Sequence, residues 1–389
     1  MPRLITRMTA RDTAEAHRAS SPLELLFDLV FVVAIAQVAA QLAHSIAEGH
    51  ALDTLGPYLM VFFAIWWAWM NFTWFASAYD TDDVPYRALV LLQMAGVLVL
   101  AAGVPAAFNG DDGGFTAVTI GYLVMRVGLV SLWVRAGIQH PQGRATAFRY
   151  AGAVTFVQVL WVSRLALPGG GPWWVFVLIA IADLSVPLWA ERTGTTAWHP
   201  HHIAERYGLF TIIVLGESVL ASTVGVQGAL DGGGLSVELV VIALSGLTVL
   251  FVLWWLYFAE PAGDGLVRRR NLSFLWGYGH YLIFASLAAV GAGLEVAVES
   301  AGHHTEVSDE VVAFSVAIPV AVFLVMLWAV HAPLVDRVVI SPIALAAGAV
   351  VVLALPLAAP AIGIAGVLVA VVLVLAALLA SALAAESRR

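Results

Sequence analysis

The stretch Pro22-Leu-Glu24-Leu-Leu-Phe27-Asp28-Leu-Val-Phe31-Val-Val-Ala-Ile-Ala-Gln37-Val-Ala-Ala-Gln-Leu-Ala-His44 decides how the rest of the chain is read. At 1.5 Å per residue it is long enough to cross the ~30 Å hydrocarbon layer of a bilayer. It is too long for a cleaved signal peptide and carries Glu24 and Asp28 inside it, so it reads as a retained first transmembrane helix. Apolar runs of similar length follow between Gly, Pro and charged punctuation, at about 55–78, 86–107, 115–137, 147–167, 172–190, 207–225, 236–259, 274–295, 311–331, 340–358 and 360–384. The fold class is therefore all-α: a polytopic integral membrane helical bundle of about twelve transmembrane helices. Unbroken runs exclude the ten-residue alternation of a membrane β-barrel. Pro356 and Pro360 leave open whether the last two runs are separate spans or one kinked hairpin.

Composition agrees with this reading. Of 389 residues, 61% are hydrophobic and only 11% charged, with a mean hydropathy of +0.92. A soluble exterior needs about a quarter of its residues charged. Cysteine is absent, which excludes disulfides, thiolate metal sites and cysteine nucleophiles. All 18 basic residues are Arg, so Schiff-base chemistry and a P-loop lysine are excluded as well. The net charge of -8 matters less than the side of the membrane on which each charge falls.

With twelve spans, all the arginines except Arg126 and Arg164 fall on one side, in the tails or in alternate connections. The opposite loops hold acids such as Glu48, Asp53, Asp111, Asp112, Asp231 and Glu306 and no Arg. The positive-inside rule then puts both termini in the cytoplasm, in a bacterial cytoplasmic (inner) membrane. The chain also echoes itself. Glu24-Leu-Leu-Phe-Asp has a counterpart in Glu205-Arg-Tyr-Gly-Leu-Phe, Trp66-Trp67 in Trp254-Trp255, and Tyr86-Arg87 with Gln93 in Arg270 with His280. Two parallel six-helix repeats follow as an expectation, at 22–192 and 206–385, between a tail 1–21, a cytoplasmic linker 193–205 and a tail 386–389. A shared site would lie between such halves.

A lone charge at mid-membrane costs about 2.5–3.5 kcal/mol, so ionisable residues inside the spans point to function. Arg126, Asp183 and Glu217 lie nearest the centres of their runs. Glu217, followed by Ser218 and preceded by Gly216, is expected to bind a proton or cation, with Arg126 as its compensating charge. At 100° per residue Glu24 and Asp28 share a face while Gln37 lies opposite Asp28, which suggests a first helix buried on both sides beside the seventh. Capping after Ser20, Ser21 and Pro22 would equally explain Glu24 and Asp28, and ion pairs to loop arginines would explain why acids sit on the Arg-rich side. Arg164, Glu191, Glu260 and Glu295 lie nearer run ends, where snorkelling suffices.

His199, His201 and His202 with Glu205 have a metal-like composition, but Pro200 interrupts them and no HExxH is present, so they read as solvated loop histidines. His303 and His304 are read the same way. Trp66, Trp67 and Asn71, and by the echo Trp254 and Trp255, would line a cavity or simply pack. Gln93 and His280 are further polar candidates inside spans. No cofactor, metal or nucleic-acid site is expected, and the glycine-rich loops read as turns.

Two openings, Pro22-Leu-Glu24-Leu-Leu-Phe27-Asp28-Leu-Val-Phe31 and Glu205-Arg206-Tyr-Gly208-Leu-Phe210-Thr-Ile-Ile-Val-Leu-Gly216-Glu217-Ser218, resemble the bacterial low temperature requirement A (LtrA) family. That name refers to growth in the cold and implies no particular substrate. Phe27-Asp28 also faintly resembles the Phe-Ser-Asp first helix of a family of six-helix-repeat potassium channels, without the Ser. Three functions are compatible with these features: a secondary transporter or channel for an ion or small solute; a membrane enzyme acting on a lipid or isoprenoid; and a non-catalytic sensor or stress-adaptation factor. The bilayer, and a solute, ion or lipid ligand, are the expected partners.

Overall fold

The computed structural model describes residues 4–12, 15, 18–110, 113–302, 305–335 and 340–387 and, apart from 228–233 and 386, their side chains. Arg3, Asp111, Asp112, His303, His304, Arg337, Arg388 and Arg389 lie outside the described residues, as does the side chain of Asp231. All regular structure among the described residues is helical. The long helices are α1 (Pro22–Ala47), α2 (Ala51–Tyr79), α3 (Val84–Ala102), α4 (Thr116–Gln139), α5 (Arg144–Arg164) and α6 (Trp173–Ala190), then α7 (Pro200–Gly233), α8 (Val237–Phe258), α9 (Ser273–Ala301), α10 (Asp309–His331), α11 (Pro342–Ala354) and α12 (Ala359–Glu386).

Local sequence explains where these helices start. Before α1, Ser21 and Glu24 form a reciprocal capping box: the Glu24 carboxylate accepts from Ser21 N at 2.8 Å, and Ser21 Oγ accepts from Glu24 N at 3.3 Å. Asp83 caps α3 by accepting from Tyr86 N at 3.0 Å, and Ser236 caps α8 by accepting from Leu239 N at 3.0 Å. The helix expected from 207 starts instead at Pro200, because proline's missing N–H and fixed φ suit a first helical turn.

Among the described residues, ten segments are long and apolar enough to cross a membrane. α5 is not one of them, since Arg144, Arg149, Gln158 and Arg164 dilute its apolar residues. Pro342–Ala385 counts as one segment of 44 residues. As a straight helix it would run about 66 Å, twice the hydrocarbon thickness. The chain folds back instead: a 3-10 turn at Leu355–Ala358 and Gly363, at φ 67°, interrupt it, and Gly348 lies against Leu378. α11 and α12 therefore form a hairpin.

The chain divides into two compact units, one of residues 1–38 and 57–206, the other of 39–56 and 207–389. The first is packed around the aromatic side chains of α2, with Trp66, Trp67, Trp69, Phe62, Phe72 and Phe75 almost wholly buried. Its α3 and α4 approach through glycine: a Cβ on Gly121 would lie 2.4 Å from Leu100 N, and one on Gly96 2.7 Å from Gly121 O. In the second unit α7 and α9 run parallel, Ser218 against Gly291 and Gly225 against Val298.

Close backbone approach fixes a difference that stability measurements can read. Gly121→Ala is expected to lower the thermal midpoint in detergent by several degrees, because overpacking costs about 1–3 kcal/mol. Gly216→Ala, where a Cβ meets nothing within 4 Å, is expected to leave the midpoint unchanged or slightly raised.

Candidate functional site

The largest concentration of buried charge lies in the first unit, where the beginnings of α1 and α7 meet. Arg206 donates to Glu24 at 2.9 Å and to both oxygens of Asp28, at 3.0 Å from Nε and 2.5 Å from Nη2. Trp69 Nε1 donates to Asp28 at 2.7 Å. Arg18 lies 3.7 Å from Glu24, and His202 Nε2 3.1 Å from the same carboxylate. Glu24, Asp28 and Arg206 are each no more than 1% exposed. Glu24 and Asp28 face Arg18 and Arg206, and Asp80, 3.9 Å from Arg18, is also faced by Arg11 at 3.6 Å, so each acid has a guanidinium beside it, which is what survives out of water. Arg's planar fork reaches both acids at once, as a lysine would not.

Arg18 also donates to Ala76 O at 2.7 Å and to Ser77 O, satisfying carbonyls in the last turn of α2. Beside it, just past α2, burial together with the charge of Glu24 pushes Asp80 up to about 6, against the pull of Arg18 and Arg11. Asp83 behaves oppositely. Burial raises its pKa, yet Arg135 and the N–H groups of Thr6 and Tyr86 outweigh that and hold the carboxyl below its ordinary value. Arg135 Nη1 donates to it at 2.8 Å and Thr6 N at 2.8 Å, so this carboxylate ties the N-terminal segment to α3 and α4.

A second cluster sits at the middle of α4 and α6. Arg126 lies 3.2 Å from Asp183, whose carboxylate also accepts from Tyr122 OH at 2.9 Å and Trp161 Nε1 at 3.0 Å. Arg126 Nη2 donates to Tyr122 OH as well. Its Nη1 is buried and has no partner. The pair expected between Arg126 and Glu217 is therefore replaced by Arg126 and Asp183, because α6 brings a carboxylate level with the guanidinium.

In the second unit the charges are balanced differently. Glu217 in α7 is half-buried, and on the adjacent α9 Glu295, also half-buried, lies within electrostatic range of it and of Glu299. Neither Glu217 nor Glu295 has a basic partner among the described residues. Ser218 is buried and donates to Val214 O at 3.2 Å. His280 is fully buried, with Nδ1 donating to Trp276 O at 2.7 Å, which leaves Nε2 to accept from Tyr257 OH at 3.0 Å.

Several sequence expectations need correction here. Gln37 is exposed and shares a stripe with exposed Leu29 and Val33, so α1 buries one face and not two. The close helix approach that Gly216 would allow is not made there, where a Cβ would meet nothing within 4 Å; it is made by Ser218 against Gly291. His199 and His202 are buried, not solvated: the His199 backbone N donates to Ser77 Oγ at 2.9 Å, and His202 joins the Glu24 cluster. They form no metal-binding group among the described residues. Of the two roles open to Trp66 and Trp67, packing holds: both are core side chains, and Asn71 donates to Trp67 O at 2.7 Å. Trp254 and Trp255 are 43% and 47% exposed, on the outer face of α8. Gln93 is buried against Gly128. Sequence reasoning missed Tyr122, Trp161 and Gln158; a lone amide in the apolar run of α5 was the available signal.

A multi-pass helical membrane protein with charge clusters neutralised inside its helices is the class that this fold and these sites define. The chain belongs to the bacterial low temperature requirement A protein (LtrA) family, whose model matches residues 19–377. It is also similar to an uncharacterized protein of Rhizobium meliloti (strain 1021), 29% identical over 311 residues that cover 74% of this chain and 71% of that protein.

Removing one member of the buried cluster leaves an uncompensated charge. Arg206→Gln is expected to cost about 3–5 kcal/mol in denaturant unfolding, and an unchanged unfolding midpoint would show that the cluster carries no such weight. Asp83→Asn should destabilise at neutral pH. Because the folded carboxyl lies below its ordinary value, its stabilisation is present above about pH 4 and lost as pH falls further, so the melting curves of variant and parent should converge in acid.

Proposed function

We propose that the protein is a secondary transporter or channel for an ion or small solute in the bacterial cytoplasmic membrane, with both termini cytoplasmic. The single observation that carries this reading is the pair Glu217 and Glu295. They lie on adjacent parallel helices, within the apolar spans, without a basic partner among the described residues. Two carboxylates on adjacent helices without a basic partner carry a desolvation penalty, which a bound proton or small cation would offset. A counter-charge that is exchangeable, and not built in like Arg206, is what a transport site requires. The clustering of arginines on one side of the spans supports the orientation. The echoes between the two openings support parallel repeats, with Glu217 as the half-specific addition that the first half lacks.

Reconstitution tests this directly. In proteoliposomes with imposed proton, sodium or potassium gradients, the parent protein is expected to dissipate at least one gradient. Glu217→Gln should abolish that flux and Glu295→Gln should reduce it, at unchanged expression and melting temperature. Flux at the parent rate in Glu217→Gln would remove the carboxylate from the mechanism.

A further inference from the structure

α4 and α5 form an antiparallel pair in the first unit, and a groove of about 610 Å³ runs between them. This lies within the ~300–1,000 Å³ typical of small-molecule sites. Leu123, Val127 and Val130 form one wall, Val159 and Val162 the other. Val127 and Val159 are 50% and 60% exposed, so the groove opens sideways past an apolar rim on the flank of the helix pair. Its hydroxyls are committed: Ser131, Thr155 and Ser163 each donate to a carbonyl of their own helix.

Two polar groups in the groove are not. Gln158 is 5% exposed, and both its Oε1 and its Nε2 are buried without a hydrogen-bond partner. Arg126, 2% exposed, presents Nη1 in the same condition. Buried polar atoms are almost always satisfied, and leaving an amide empty is costly. A single group that completes both residues would accept from Gln158 Nε2 and Arg126 Nη1 and donate to Gln158 Oε1. It must also be uncharged, because Asp183 already cancels Arg126 and an added anion at this depth would have no counter-ion.

We propose that this groove binds a neutral single-chain amphiphile, a long-chain alcohol or a fatty acid in its protonated form. The headgroup is held by Gln158 and Arg126, and the chain lies along the valines of α4 and α5. A hydroxyl or carboxyl group supplies the donor and acceptor that Gln158 lacks, and a single apolar chain matches a cleft whose laterally open rim is apolar. The site stands apart from Glu217 and Glu295 and does not rest on their role.

Photolabelling of the full-length protein in phosphatidylcholine nanodiscs with a diazirine-bearing hexadecanol tests the proposal. Saturable label is expected on α4 and α5 peptides, displaced by hexadecanol and not by hexadecane. Gln158→Leu keeps volume and removes the unpaired amide, so it should melt higher than the parent while losing saturable labelling by about tenfold. Val159→Trp, which fills the groove from its exposed side, should lose labelling with Gln158 intact. Equal displacement by hexadecane, unsaturable label, or parent-level labelling in both variants would overturn the proposal.

Discussion

Arg206 reaches across to Glu24 and Asp28, and much of the first unit's architecture can be traced to that contact. In hydrocarbon a charge persists only beside its opposite. The arginine's fork takes one acid from the first turn of α1 and another a turn later, with Trp69 completing Asp28. This pins the start of α1 against the start of α7 and the middle of α2. Arg18 and His202 then gather around Glu24, and Arg18 closes the last carbonyls of α2. The helices meet here because their charges have no alternative partner in a bilayer.

The same requirement separates two kinds of buried charge. Arg126 with Asp183, Arg206 with Glu24 and Asp28, and Arg135 with Asp83 are compensated by groups of the chain itself. Such clusters hold helices in register. Glu217 and Glu295 lack a built-in cation, and Gln158 lacks a hydrogen-bond partner. The proposed ion and ligand sites are built on these incomplete groups.

The helices were largely legible in the sequence, because apolar runs and polar punctuation follow directly from the thickness of a bilayer. The beginning of α7 was not: Pro200 and its neighbouring histidines look like a loop until Glu24 of α1 is placed beside them. Gln37 shows why a helical wheel is insufficient, since it gives the angle between two residues and not which side is covered. Arg126 had two acids at comparable depth, and only the packing of α6 near α4 selects Asp183 over Glu217. Trp66-Trp67 and Trp254-Trp255 are the same dipeptide in opposite surroundings, one in a core and the other on an outer face. Local sequence carries depth in the membrane well and partnership across helices poorly.

The separation between compensated and uncompensated charge is the central claim, and replacing the whole Arg206 cluster tests it most directly. Glu24→Gln, Asp28→Asn and Arg206→Met combined remove the charges together, leaving none stranded, and buried ion clusters replaced in this way commonly fold as well as before. Ion flux and melting temperature of that triple variant, reconstituted beside the parent, are the quantities to measure. The account predicts a folded protein that still conducts its gradient; a folded triple variant without flux would place the cluster in the transport machinery and contradict it.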